Sequence, residues 1–147
     1  MSGADRNEYV DELRSLTGHA WKPGDNVLNP TSWPDYWIRT WGARGLLHVW
    51  DDSATNAIVI GLNDDHWRPA EMCLKVAVRH EVAGTGDGAA KLLTHELPRV
   101  RIQALRVLGL MGDTHHIQAV QQATEDPLSQ VQNQAIRTLH QMRTRLE

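Results

Sequence analysis

The sequence contains a single cysteine, Cys73, among its 147 residues. One thiol cannot form a disulfide within the chain or a cysteine-rich zinc site, so the fold has neither kind of cross-link. Cys73 lies within a run of apolar residues at helical spacing, and we therefore expect it to be a buried structural thiol.

Long apolar runs are absent as well. No stretch approaches the roughly 20 residues that a membrane-spanning helix needs, so we expect no membrane partner. The first thirteen residues, MSGADRNEYVDEL, lack the basic start and apolar stretch of a signal peptide. We therefore expect a cytoplasmic protein.

The common catalytic signatures are also missing. The sequence has no Gly-rich phosphate loop, no Gly-x-Ser-x-Gly and no His-Glu-x-x-His. Strand signals are confined to one β-branched cluster, residues 56–62, which lies inside a helical pattern. The sequence thus predicts an all-α protein with no catalytic residue, metal or cofactor.

Charge of one sign does not dominate the chain. The formal net charge is -3, which argues against a protein whose main activity is to coat nucleic acid. From Arg99 onward, six arginines stand against four acids, but solvated helix faces explain so mild an excess.

The clearest positive feature is an internal repeat. The stretch PRVRIQALRVLGLMGD, residues 98–113, combines an apolar helical stripe with a Gly-Asp stop. Anchored on Arg101, it aligns with segments anchored on Arg39, Arg68 and Gln132, at intervals of 29, 33 and 31 residues. A second apolar run follows each of the first three anchors, within residues 51–65, 86–98 and 112–127. Such intervals indicate repeating helical hairpins.

Polar and glycine residues suggest where the second helices begin. Asp51, Asp87 and Asp113 lie where a carboxylate could cap a helix N-terminus. Gly86 and Gly112 are predicted to take the positive φ that ends the preceding helix.

Residues 98–113 resemble the short HEAT-like repeats of the phycobilin-lyase type. Seven residues match that repeat pattern in register: Val100, Arg101, Ala104, Leu108, Gly109, Gly112 and Asp113. Asp126 and Pro127 match the acidic turn of the following unit, whereas Gln132 replaces the expected Arg. Residues 64–66 lack the proline of that turn, and residues 80–88 are irregular. The resemblance covers about residues 36–142.

The resemblance implies a fold. It predicts a short right-handed α-solenoid of about three and a half helical-hairpin repeats over residues 35–147, preceded by an N-terminal cap and connection over residues 1–34. In such repeats the turn Asp commonly pairs with the Arg along the stack. Gln132 therefore suggests a terminal unit that needs no neighbour on one side.

The N-terminal segment and a tryptophan stripe fit together as a cap. Three apolar residues of the first segment share one helical face: Tyr9, Leu13 and Leu16. Trp33, Trp37 and Trp41 follow at intervals of four residues. This stripe either packs under the cap or forms a second binding face, since aromatic residues are enriched at binding hot spots.

The stacked second helices predict a protein-binding or scaffolding module. Side chains on parallel helices form a rigid concave surface, which a partner meets at low ordering cost. The first candidates for contacting an unidentified protein partner are Lys91, His95, Gln118 and Gln122.

A metal-dependent enzyme is the alternative function. His80-Glu81 and His95-Glu96 resemble the iron-ligating pairs of a HEAT-repeat hydroxylase, but they stand at inequivalent places in their repeats. The phycobilin-lyase activity is not implied, because fold does not determine function.

Two further possibilities rest on histidine and arginine. Adjacent helical residues point about 100° apart, so His115 and His116 are expected to be surface histidines that share no metal. Nucleic-acid binding through the Arg-rich end is unlikely, because Lys91 is the only cation predicted on the second helices.

Overall fold

The computed structural model describes residues 34–147, which form seven helices and no strand. The helices are α1 (Asp35–Gly45), α2 (Thr55–Gly61), α3 (Trp67–His80), α4 (Gly86–Lys91), α5 (Pro98–Met111), α6 (Ile117–Ala123) and α7 (Ser129–Leu146). Short 3-10 turns precede α2 and α6 and follow α4. The all-α helical-repeat solenoid is therefore confirmed. None of the helices in this part of the chain is long and apolar enough to cross a bilayer.

The helices alternate between two roles. Helices α1, α3, α5 and α7, here called the first helices, pack against one another in sequence order. The second helices are α2, α4 and α6 with their 3-10 turns, and each packs against the first helix that follows it. The described chain thus contains three helical hairpins and one additional first helix.

The repeat has a constant period of 31 residues. Helices α3, α5 and α7 begin at Trp67, Pro98 and Ser129. Three residues before each start, a side chain accepts a hydrogen bond from the backbone N–H two positions later, at 2.9–3.0 Å: Asp64, His95 and Asp126. The same local bond therefore recurs in all three turns.

This register corrects one of the alignment anchors. The residues equivalent to Arg101 are Arg39, Ala70 and Gln132, and the predicted anchor Arg68 was wrong by two positions. Arg68 is instead equivalent to Arg99, one residue after the start of its helix. The error arose because Arg is present at both positions in α5, but at only one of them in α3.

The expected pairing of Arg with the turn Asp is confirmed in two of the three turns. Arg101 binds Asp126 through Nε and Nη2, at 2.8 and 3.0 Å. Arg39 binds Asp64 in the same manner, at 2.6 and 3.0 Å. In the second unit, Ala70 replaces the Arg and His95 replaces the Asp, so both partners of that pair are missing.

Arg101 also binds its own turn. Its Nη1 donates to the His95 carbonyl, six residues earlier, at 2.8 Å. Gln132 retains this second role, because its Nε2 donates to the Asp126 carbonyl at 2.7 Å. The Arg therefore has two separable contacts, one within its unit and one with the next.

The core lies between the first helices and under the second ones. In α5 the fully buried residues recur at helical spacing: Val100, Ala104, Leu105, Val107 and Leu108. Burying one such Val or Leu stabilises the fold by about 1.5–3 kcal/mol. The stripe recognised in residues 98–113 is thus the buried face of one first helix.

The predicted caps hold only in part. Asp51 and Asp113 occupy N-cap positions, and Asp51 Oδ1 accepts from the Ser53 N–H at 2.9 Å. Asp87 lies inside α4 and was wrongly assigned, because Val82 is the residue equivalent to Asp51 and Asp113 in the 31-residue register.

The two predicted glycine stops were also wrong. Gly86 lies within α4, and Gly112 has an extended φ of -74°. The positive φ angles in the described chain belong to Glu81 and Gly84. Gly112 is instead required for space, because an added Cβ would lie 2.5 Å from the Leu108 carbonyl oxygen.

The cap prediction for residues 1–34 lies outside the described residues except for Pro34, and Trp33 lies outside them too. Trp41 is 7% exposed and its ring stacks on that of Trp37, with centroids 5.3 Å apart. Trp37 is half-buried. The Arg68 guanidinium lies over the Trp37 ring, 4.7 Å from its centroid.

Cys73 is buried in α3, as expected, with 4% of its surface exposed. Burial raises the pKa of its thiol to about 12, because the thiolate is poorly solvated there. We therefore predict that a thiol reagent such as Ellman's reagent at pH 8 labels Cys73 only after denaturation. Stoichiometric labelling within minutes in native buffer would contradict this burial.

Candidate binding surface

The second helices present three rows of exposed residues. Each row has one member per second helix or the turn that follows it, at intervals of 31 residues. The rows are Asn56, Asp87 and Gln118; Ile60, Lys91 and Gln122; and Asn63, Thr94 and Glu125. All nine are exposed, so one continuous set of equivalent positions faces solvent. We call these nine residues the second-helix face.

Three of the four predicted contact residues belong to this face. Lys91 and Gln122 occupy equivalent positions in successive second helices, and Gln118 lies one helical turn before Gln122. None of the three side chains makes a hydrogen bond or ion pair within residues 34–147. Their donors and acceptors are therefore available to a partner.

His95 differs from the other three. It lies in the turn before α5 and is only half exposed. Its Nδ1 accepts the Leu97 N–H at 3.0 Å, which is the role that Asp64 and Asp126 perform in the other turns. His95 thus stabilises the turn, and its place on the binding surface remains a prediction.

Asp87, His115 and His116 form a cluster between the second and third units. The Nε2 atoms of His115 and His116 lie 3.1 and 2.9 Å from the same oxygen, Asp87 Oδ1. His116 is buried at 5% exposure, whereas His115 and Asp87 are exposed. The prediction of two separate surface rings was therefore wrong for His116. It overlooked a common acceptor on the neighbouring second helix.

Steric fit holds the buried ring in place. The Asp113 N–H donates to His116 Nδ1 at 2.9 Å, which orients the ring from within its own turn. On the other side, a Cβ added to Gly86 would lie 2.9 Å from His116 Cε1 and 3.1 Å from the Met111 carbonyl oxygen. Gly86 is therefore required here for close packing, which a positive-φ criterion does not reveal.

The cluster has the residue types of a metal site, and its three ligand atoms lie within 4.8 Å of one another. The hydrogen bonding of His116 does not fit that role. Because Nδ1 accepts a backbone N–H, the proton of the neutral ring is on Nε2, the atom that would have to bind the metal. Metal-ligating histidines normally donate from their second nitrogen. The geometry instead suits a donor to Asp87.

The two His-Glu pairs contribute to no such cluster. Within residues 34–147, the cluster of Asp87 with the two histidines is the one group of three potential ligands that meets this distance criterion. His80 Nε2 donates to the Leu46 carbonyl at 2.8 Å, and its ring stacks on Trp50. His80 and His95 are thus both engaged in local structural contacts.

A cavity of about 510 Å³ opens between α1, α2 and α3. Its walls are mainly small and apolar residues, including Gly42, Ala57 and Gly61, and Arg39 lies at its polar side. Gly61 approaches Cys73 closely, because an added Cβ would lie 2.4 Å from the sulfur atom. The cavity contains no group of catalytic side chains among the described residues.

Comparison with known proteins gives one match. Residues 87–146 match the family model of HEAT repeats, which covers most of α4 and all of α5 to α7. The match is to HEAT repeats in general and does not single out the phycobilin-lyase type. A search of curated proteins found no similar sequence.

The Asp87 cluster predicts a specific pH dependence. Hydrogen bonds from His115 and then His116 hold the pKa of Asp87 below its usual value. A lowered carboxyl pKa stabilises the fold above the unfolded-state pKa of about 3.9, and this contribution is lost as the pH falls through the folded-state value. Asp87→Asn should therefore lower the urea midpoint at pH 6 and have no effect at pH 2.5.

The matched control is Glu125→Gln, which neutralises an exposed carboxylate of the same face that has no hydrogen-bond partner in the described chain. Its midpoint should follow that of the parent protein at both pH values. Equal shifts for the two variants at pH 6 would disprove a specific role for the cluster.

Proposed function

Because residues 87–146 are HEAT repeats, we propose that this protein is a binding module that docks a partner protein on its second-helix face. HEAT repeats are commonly protein-interaction modules. The observation that carries the proposal is the unengaged polar edge formed by Lys91, Gln118 and Gln122. These three exposed side chains lie on two successive second helices and have no partner in the described chain.

Rigidity supports this use of the face. The residues project from helices whose opposite sides are fully buried, such as Ala89 in α4 and Val120 in α6. A partner therefore orders side chains but no backbone, and the entropic cost of binding is small. The Asp87 cluster further links α4 to the 3-10 turn before α6, which fixes the spacing between the two rows.

The chemistry of the face favours a partner with polar groups at its contact. Two amides and one ammonium supply hydrogen-bond donors, and the amide oxygens supply acceptors. Ile60, which is 59% exposed, adds an apolar contact in the same row as Lys91 and Gln122. We infer that the partner presents a carboxylate or backbone carbonyl to Lys91 and a small apolar group to Ile60.

The test is affinity capture from nuclease-treated lysate of the source cells, with quantification by mass spectrometry. The variant combines Lys91→Glu, Gln118→Ala and Gln122→Ala. The matched control on α7 combines Arg143→Glu, Gln130→Ala and Gln141→Ala, all at exposed positions. A partner should be retained by the parent and the control but depleted at least about tenfold by the variant, which corresponds to about 1.4 kcal/mol.

The captured protein should then bind the purified parent in isothermal titration calorimetry and lose the same affinity with the variant. Retention of every captured protein by the variant would refute the proposed face. Capture of no protein by the parent would refute the proposed function as a whole.

A further inference from the structure

The structure sorts charge by helix type. The four first helices contain ten arginines and one lysine but only two carboxylates, Asp35 and Glu71. The rest of residues 34–147 contains eleven carboxylates and a single cation, Lys91. The net charge of -3 therefore conceals two oppositely charged parts of the solenoid.

One row of cations runs the length of the first helices. Arg44, Lys75, Arg106 and Arg137 are spaced at the repeat interval of 31 residues, so each occupies the equivalent position of its helix. Arg44, Arg106 and Arg137 are exposed, and Lys75 is half exposed. We call these four residues the basic row.

Most of the basic row is not neutralised within the chain. Arg44, Arg106 and Arg137 make no ion pair or hydrogen bond among the described residues. Lys75 pairs with Glu71 at 3.2 Å, and the same carboxylate oxygen accepts from Arg99 Nε at 2.9 Å. One buried carboxylate is thus shared by two cations, which leaves the row with an excess of positive charge.

The dimensions of the row follow from helix packing. Consecutive first helices contact one another, and packed helices lie about 8–10 Å apart. Four equivalent positions therefore span about 24–30 Å in a nearly linear array. The tertiary packing sets this spacing, so it does not depend on the flexibility of a single peptide segment.

We propose that the basic row binds the phosphodiester backbone of a nucleic acid without reading its sequence. Each strand of a duplex offers one phosphate per about 3.4 Å of axis, so a continuous line of charge can meet all four members of the row. Three of the four are arginines, whose planar guanidinium binds phosphate oxygens in pairs.

A nucleic acid fits the row better than a lipid surface does. Membrane-binding faces combine cations with large apolar side chains that insert between headgroups. Among the exposed large apolar residues, only Ile136 lies on a first helix, and it adjoins a single member of the row. The array is therefore a phosphate-binding edge with little to insert into a bilayer.

The test is fluorescence anisotropy with a labelled 20-base-pair DNA duplex and a 20-nucleotide single strand, at 50–200 mM salt. Four phosphate contacts predict a slope of about -3.6 in log K against log salt for the duplex, or about 150-fold weaker binding at 200 mM. Removing two contacts with Arg106→Gln and Arg137→Gln should reduce the slope to about -1.8, or about 12-fold.

The matched control combines Arg143→Gln with Lys91→Gln, which removes the same charge outside the basic row. It should retain the slope of the parent protein. Thermal unfolding followed by circular dichroism should be unchanged in both double variants, because the substituted side chains have no partner in the described chain.

Three results would overturn the proposal: no binding of either oligonucleotide at 50 mM salt, equal loss of slope in the control, or binding to vesicles with 30% phosphatidylserine but not to DNA. Because the assay contains no protein partner, its outcome is independent of the function proposed for the second-helix face.

Discussion

The bidentate pair between Arg101 and Asp126 is the interaction on which the arrangement of the third and fourth units depends. Arg101 and Asp126 have side-chain exposures of 11% and 9%, so the pair is largely shielded from water. Burial alone would raise the pKa of Asp126, but hydrogen bonds from Arg101 and the Leu128 N–H outweigh it and lower the pKa below its usual value. A partly buried pair of this geometry costs far more to break than an exposed one.

The pair matters because it joins a helix of one unit to the turn that starts the next. Arg101 simultaneously holds the carbonyls of its own turn, so the two turns are tied through one guanidinium. Arg39 and Asp64 repeat the connection at the first unit, where Arg39 is 37% exposed. The constant period that follows places acidic and amide groups on the second helices and a line of cations on the first helices. The same packing thus creates two surfaces of different chemistry.

The sequence predicts the helical repeat well but the local contacts less well. Residues 98–113 contain a complete apolar stripe, so helix α5 and its neighbours are evident from periodicity, and the pairing of Arg101 with Asp126 follows from the family resemblance. The second unit was misaligned because Ala70 and His95 replace both members of the pair. His116 and Asp87 were missed because they meet only after two units stack, and no local pattern records that contact. The cation row becomes visible in the sequence only when the 31-residue register is known.

A double-mutant cycle on the clamp tests this account most directly. Arg101→Gln keeps a donor for its own turn, as Gln132 does, and Asp126→Asn keeps the acceptor for the Leu128 N–H. Urea unfolding of the parent, both single variants and the double variant at pH 7 should give a coupling energy of about 2 kcal/mol, within the range for residues in direct contact. A coupling energy below about 0.5 kcal/mol would show that the stack does not depend on this pair.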